Sequence, residues 1–414
     1  MSIAAVLLLC AVSAVPAAGT LTGRVFDENG EPLAGALVDL STAKPRVGLA
    51  VTCPSCYRDC AKSATTDAEG RFSIGELDPT LLFRVLVLAT GRRAVLTKLT
   101  DPAETELEVK LEPLPAALPP DRMLKGRVFD ELGKPLAGAV VSPTGAKTHE
   151  KRWWGQLPGV DEAAVTDAEG QFVITSQEPK LGLDLRAGAP GYADFPSRLF
   201  DLDGSEHEIR MRRGATVSAR LTYQGRPVKR RAIGMVQRDR SVGHFVGETT
   251  MATDDDGNFL FANLQPNERY VLYSLCDASQ DLPVFKTVSM ETGGDGEVTS
   301  LAEISLLQGL TLTGRVELPT GATMPKGAKL RVSRDPAWDW CETLLSDDGE
   351  FKIRSLPPEV YSVSVIAPGF EIDASRMRYQ VTGASEFGLR LRGDDETGLL
   401  SVAVPMKSVI AGVR

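Results

Sequence analysis

Cys53, Cys56 and Cys60, in the segment VTCPSCYRDC, stand at C-x2-C-x3-C spacing. Such spacing lets three sulfurs reach one ion, yet a closed zinc site takes four ligands and this segment holds no fourth. In an oxidising compartment two of the three pair as a disulfide and leave an odd thiol. Both readings stay open on the sequence, and no cofactor is expected. Cys276 and Cys341 lie far apart in the chain, and nothing in the sequence joins them. The four tryptophans fall into two close pairs, Trp153 with Trp154 in KRWW and Trp338 with Trp340 in AWDWC. Paired indoles on an exposed segment stack on sugar faces or anchor a protein partner; turned inward they cover the open end of a core.

Catalytic chemistry finds little to work with. His149, His207 and His244 are the only histidines. None begins an H-x-x-E pattern, and neither a G-x-S-x-G elbow nor a P-loop occurs. The acidic corner Asp254 to Gly257 lacks the further ligands of a calcium loop and reads as a solvated turn. A basic run holds Arg226, Lys229, Arg230, Arg231, Arg238 and Arg240, and reads as the wet face of a strand pair. The net charge of -9 excludes a general nucleic-acid binder, which needs a basic surface to release counterions.

These residues hang on a recurring frame. TDAEGRF at 66–72 returns as TDAEGQF at 166–172, TDDDGNF at 253–259 and LSDDGEF at 345–351. In each, an acidic side chain (Asp67, Asp167, Asp254) caps a turn, and Gly70, Gly170, Gly257 or Gly349 takes the left-handed conformation before a strand begins. In the fourth copy Ser346 stands in the Asp place. The glycines recur at spacings of 100, 87 and 92, which predicts four small domains. Before each corner lies a strand, a turn and a second strand, as in LTGRVFDENGEPLAGALVDL at 21–40 and LKGRVFDELGKPLAGAVVSP at 124–143. After it come an alternating strand, such as YSVSVIAPGF, and a short closing strand: LEVKLEP, HEIRMRR, AEISLL or FGLRLRG. Short alternating strands, 39 glycines and 26 prolines predict an all-β chain of four tandem antiparallel β-sandwiches.

The pattern G-R-V-x-D-x-x-G-x-P-L-A-G-A-x-V, then T-D-x-x-G-x-F, then A-P-G-Y/F resembles the carboxypeptidase regulatory-like domain. That is a prealbumin-like sandwich related to Cna-B and starch-binding-like modules. The resemblance implies a non-catalytic accessory module. With the apolar leader as a signal peptide at 1–19, the chain divides into repeat one at 20–112 and a proline-rich linker at 113–122. Repeat two then spans 123–213, a divergent repeat three 214–307, repeat four 308–392 and a tail 393–414. The tail either adds a strand or frays. The leader MSIAAVLLLCAVSAVPAAGT is apolar, of signal-peptide length and too short to span a bilayer. It predicts export to the periplasm, the cell surface or the medium, with membrane contact only in transit. The connection between second strand and corner resists alignment in every repeat and carries Cys53, Cys56, Cys60, Cys341 and all four tryptophans. Variable loops on rigid sandwiches are where binding resides. The expected function is therefore a secreted, non-catalytic binding or scaffold protein of the envelope. A glycan or an envelope protein is the expected partner, met by Trp153, Trp154, Trp338 and Trp340. The alternative is a metal or redox protein built on Cys53, Cys56 and Cys60.

Overall fold

The computed structural model describes residues 19–409, apart from 49, 51–53, 55–56, 90, 105, 116, 156, 242–243 and 392–398. The apolar leader, Cys53 and Cys56 lie outside the described residues.

In the first sandwich the strands are β1 (Gly19–Phe26), β2 (Leu37–Pro45), β3 (Ser63–Thr65), β4 (Arg71–Leu77), β5 (Leu81–Leu88), β6 (Val95–Leu96) and β7 (Leu107–Lys110). They form two sheets, ordered β4-β1-β7 and β3-β2-β5-β6. Every pair is antiparallel except β1 with β7, which run parallel with Gly23 opposite Leu107 and Phe26 opposite Lys110. Alternation sets the core: on β1, Leu21 and Val25 are buried, and on β5, Leu81, Phe83, Val85 and Val87 face the same cluster. Three further pairs of sheets repeat this order along the chain. The first sandwich forms one compact unit, and the other three form a second.

The recurring corner performs two tasks. Asp67 Oδ1 accepts the N–H groups of Glu69 and Arg71, at 3.0 and 2.8 Å, and so shapes the turn. The preceding threonine ties the turn to the connection between β1 and β2. Thr66 Oγ1 accepts from Ala36 N at 2.9 Å and donates to Leu33 O at 2.7 Å. Thr166 and Thr253 repeat both bonds. In the fourth sandwich Ser346 Oγ still accepts from Glu350 N, at 2.9 Å, so serine keeps the turn.

Two glycine positions follow from close approach. A Cβ on Gly70 would lie 2.4 Å from Val25 O, and on Gly170 2.5 Å from Val128 O, while φ is +70° and +73°. Gly23 follows from close approach as well: a Cβ there would lie 2.1 Å from Leu107 O across the parallel pair and 2.7 Å from the Phe72 ring.

One assignment changes. The strand Glu386–Arg390, expected to close the fourth unit, pairs with Val360–Ile366 in the opposite sheet. The closing place beside Leu310–Glu317 belongs to Leu399–Ser408, which runs parallel to it over seven residues and buries Val402, Val404 and Met406. The tail therefore adds a strand. Of the proline-rich linker, Pro113 bridges to Arg92 and Pro120–Arg122 makes a 3-10 turn, so it is extended only in part.

Candidate functional site

The segments expected as variable loops carry strands of their own. Arg152–Trp154 pairs antiparallel with Gly145–Lys147, and Asp339–Leu344 pairs with Lys329–Arg334, each at a sheet edge. Pairing answers backbone N–H and C=O groups that a loop would leave to water. Three of the four tryptophans thus sit on edge strands, and Trp338 sits on the turn before one.

The two pairs belong to different sandwiches and do not form one site. Trp154 is 58% exposed and lies opposite Gly145, whose missing side chain makes room for the indole. The Arg152 guanidinium stacks on it at 4.9 Å and also grips the buried Asp184 carboxylate, Nε to Oδ2 at 3.1 Å. Trp153 points to the other face of the strand, with the Lys151 ammonium 5.1 Å from its ring.

Trp338 and Trp340 line one groove of about 1090 Å³, shared with Ser333, Ser362, Ser364 and Glu386. Trp340 is 56% exposed and Trp338 is 50% exposed. Each has an arginine on one face: Arg331 lies 4.4 Å from the Trp340 ring, Arg240 5.4 Å from that of Trp338. The two indoles differ in role. Trp338 adopts φ +54°, a left-handed conformation that costs a branched-free L-residue about 1–2 kcal/mol. That turn drives Trp338 edge-on against Phe245 of the third sandwich, centroids 5.0 Å apart, and buries Ala337 among Val236, Val271 and Tyr273. Trp338 is thus in part a junction residue, whereas Trp340 offers its indole to the groove.

Beneath the groove Arg334 is almost fully buried. It donates to Asp339 (3.0 and 2.5 Å), Glu359 (2.8 Å) and the Ser274 carbonyl of the third sandwich (2.8 Å). Burial opposes its charge, but the two carboxylates outweigh this and raise its pKa. The sequence reading missed Arg334, because an arginine in VSRDP looks like any surface charge. The junction also uses Thr287, whose N–H and Oγ1 bond Glu359 Oε1 at 2.6 and 2.7 Å.

The remaining candidates separate. Cys60 is half-buried, its pKa pushed up to about 11 by burial and by Asp59, which leaves it a protonated thiol. Its S–H donates to Pro54 O at 3.4 Å. Among the described residues no group of three His, Cys, Asp or Glu side chains is placed to hold a metal. Asp254 Oδ1 is taken up by the N–H groups of Asp256 and Asn258, at 2.9 and 2.8 Å. His207 Nε2 lies 2.8 Å from Asp201 O with its ring edge-on to Phe200. The basic run divides: Arg240 donates to Asp335 O at 2.7 Å, while Lys229, Arg230 and Arg231 rim a second groove with Cys276 and Cys341.

Four sandwiches with a parallel first-to-last pair and a shared corner define a tandem prealbumin-type β-sandwich protein. Residues 20–112, the first sandwich, match the model of the carboxypeptidase regulatory-like domain family. A search of curated proteins returned no match. Among solved structures the chain is similar to a streptococcal ancillary pilin, at 12% identity over 70% of this chain and 99% of that one, TM-score 0.24. It is also similar to the Bacillus anthracis TIE protein, at 13% identity over 94% and 74%, TM-score 0.20. The minor pilin GBS52 of Streptococcus agalactiae matches at 13% identity over 44% and 96%, TM-score 0.25.

Proposed function

We propose that the chain is an exported, non-catalytic envelope or extracellular protein that binds carbohydrate in the groove of the fourth sandwich. Trp340 carries the reading. Its indole is more than half exposed at a groove whose lining also includes the hydroxyls of Ser333, Ser362 and Ser364 and the Glu386 carboxylate. A sugar presents an apolar C–H face and a rim of hydroxyls, which an indole and such polar groups complement. Arg331 already occupies one face of the ring and fixes its orientation, leaving the other for a ligand. The apolar leader supports export.

A glycan array probed with the mature chain tests this. Bound glycan is expected, and Trp340→Ala is expected to weaken it by roughly tenfold or more, as for a central aromatic anchor. Trp153→Ala, on another sandwich, should leave binding unchanged. The proposal fails if no glycan binds, or if Trp340→Ala binds as the parent does. A protein partner captured through the same groove would move the reading to the envelope-protein class.

A further inference from the structure

Cys276 and Cys341 are 65 residues apart in sequence, on different sandwiches, and their thiols touch. Cys276 follows the strand Arg269–Ser274 of the third sandwich and packs against the core of the fourth. Cys341 lies on the edge strand Asp339–Leu344 and is buried in that core. Both line a groove of about 860 Å³ that opens to solvent between Lys229, Arg230 and Arg231.

The surroundings hold the two sulfurs together. Arg334 bonds Ser274 O and Asp339 Oδ2 at once, and each of these residues stands two positions before a cysteine. Downstream of Cys276 the chain stays attached to the fourth sandwich: Ser355 Oγ accepts from Leu282 N at 2.6 Å and donates to Gln280 O at 2.5 Å. Neither thiol can move away without breaking these contacts.

We infer that Cys276 and Cys341 form a disulfide that covalently locks the third sandwich to the fourth. The step is thiol–disulfide exchange with a small or protein disulfide. Cys276, the more exposed of the two, hands its S–H proton to the Cys341 sulfur as its own sulfur attacks that disulfide, which expels one thiolate and gives a mixed disulfide. Cys341 then attacks the Cys276 sulfur and expels the second. The chain loses two protons and two electrons, and the external disulfide becomes two thiols. The Cys276 S–H and the Ala278 N–H both favour the thiolate of Cys341 and lower its pKa, while contact with Cys341 and burial raise that of Cys276. Cys341 is thus suited to accept the Cys276 proton, and the Ala278 N–H, which remains once the Cys276 S–H is spent, still favours its thiolate for the second attack. The basic rim draws an anionic disulfide such as glutathione disulfide.

The lock is independent of any glycan. Its test takes the full chain, oxidised with glutathione disulfide, alkylated and digested with trypsin. Cleavage places Cys276 alone in fragment 270–286 and Cys341 alone in 335–352. The expected product is these two fragments joined, about 2 Da below their sum. Reductant should then lower the denaturant midpoint of the parent but not of Cys276→Ser/Cys341→Ser. Recovery of both fragments separately alkylated, or joined to fragments bearing Cys53, Cys56 or Cys60, overturns the inference.

Discussion

Within the corner, glycine and threonine do different work, and substitution separates them. Gly138 and Gly170 belong to the same sandwich and have nearly equal φ, +76° and +73°. A Cβ at Gly138 meets nothing within 4 Å, whereas at Gly170 it meets Val128 O at 2.5 Å. Gly138→Ala should therefore cost only the left-handed penalty of about 1–2 kcal/mol. Gly170→Ala should cost distinctly more, because backbone must shift. Equal unfolding midpoints for the two variants would remove the steric argument. Thr166→Val keeps the shape but strands Ala139 N–H and Leu136 O, for about 1–3 kcal/mol. The sequence made Asp167 and Gly170 legible because the turn they shape is local, although the close approach of Val128 O to Gly170 was not. It hid Thr166, whose two bonds reach residues 27 and 30 positions away.

At the scale of elements, alternation made nearly every strand legible but not the sheet each one joins. FGLRLRG and the tail segment LSVAVPM alternate equally well, and alternation reports that one face is buried, not which neighbour pairs. Parallel pairing of first and last strands is set by the whole sandwich, so the tail's role emerges only from the fold. This gives a truncation prediction. Ending the chain at residue 392 removes Val402, Val404 and Met406 from the core of the fourth sandwich. At about 1.5–3 kcal/mol for each buried side chain, the loss rivals the entire stability of a small domain. The fourth sandwich of the truncated chain should be unfolded, read as protease sensitivity of residues 310–390 with the first sandwich intact. A truncated chain as resistant as the full one would mean that Glu386–Arg390 can close the sheet after all. The candidate site was half legible for a related reason. Tryptophan and cysteine announce themselves by type, but Trp338, Cys276 and Cys341 meet neighbours from another sandwich.

Across the second compact unit, the sandwiches are joined by polar contacts at each junction. Arg212 meets Asp295 at 2.6 Å and Pro266 O at 3.2 Å, and Gln265 donates to Asp194 O, so the second sandwich is tied to the third. Between the third and fourth, the contacts converge on Arg334. Replacing it with Met keeps the volume but leaves Asp339 and Glu359 as largely buried carboxylates without their cation. Removing one partner of such a cluster costs about 3–5 kcal/mol. The damage should also spread, because the same guanidinium ends on the backbone of Ser274. Amide exchange is therefore expected to rise in both 269–274 and 339–344 in Arg334→Met, whereas Thr166→Val should loosen the second sandwich alone. Faster exchange confined to 339–344 would show the sandwiches to be energetically separate. Faster exchange in both would show that their junction is part of the folding unit and that the Trp340 groove depends on two domains being in place.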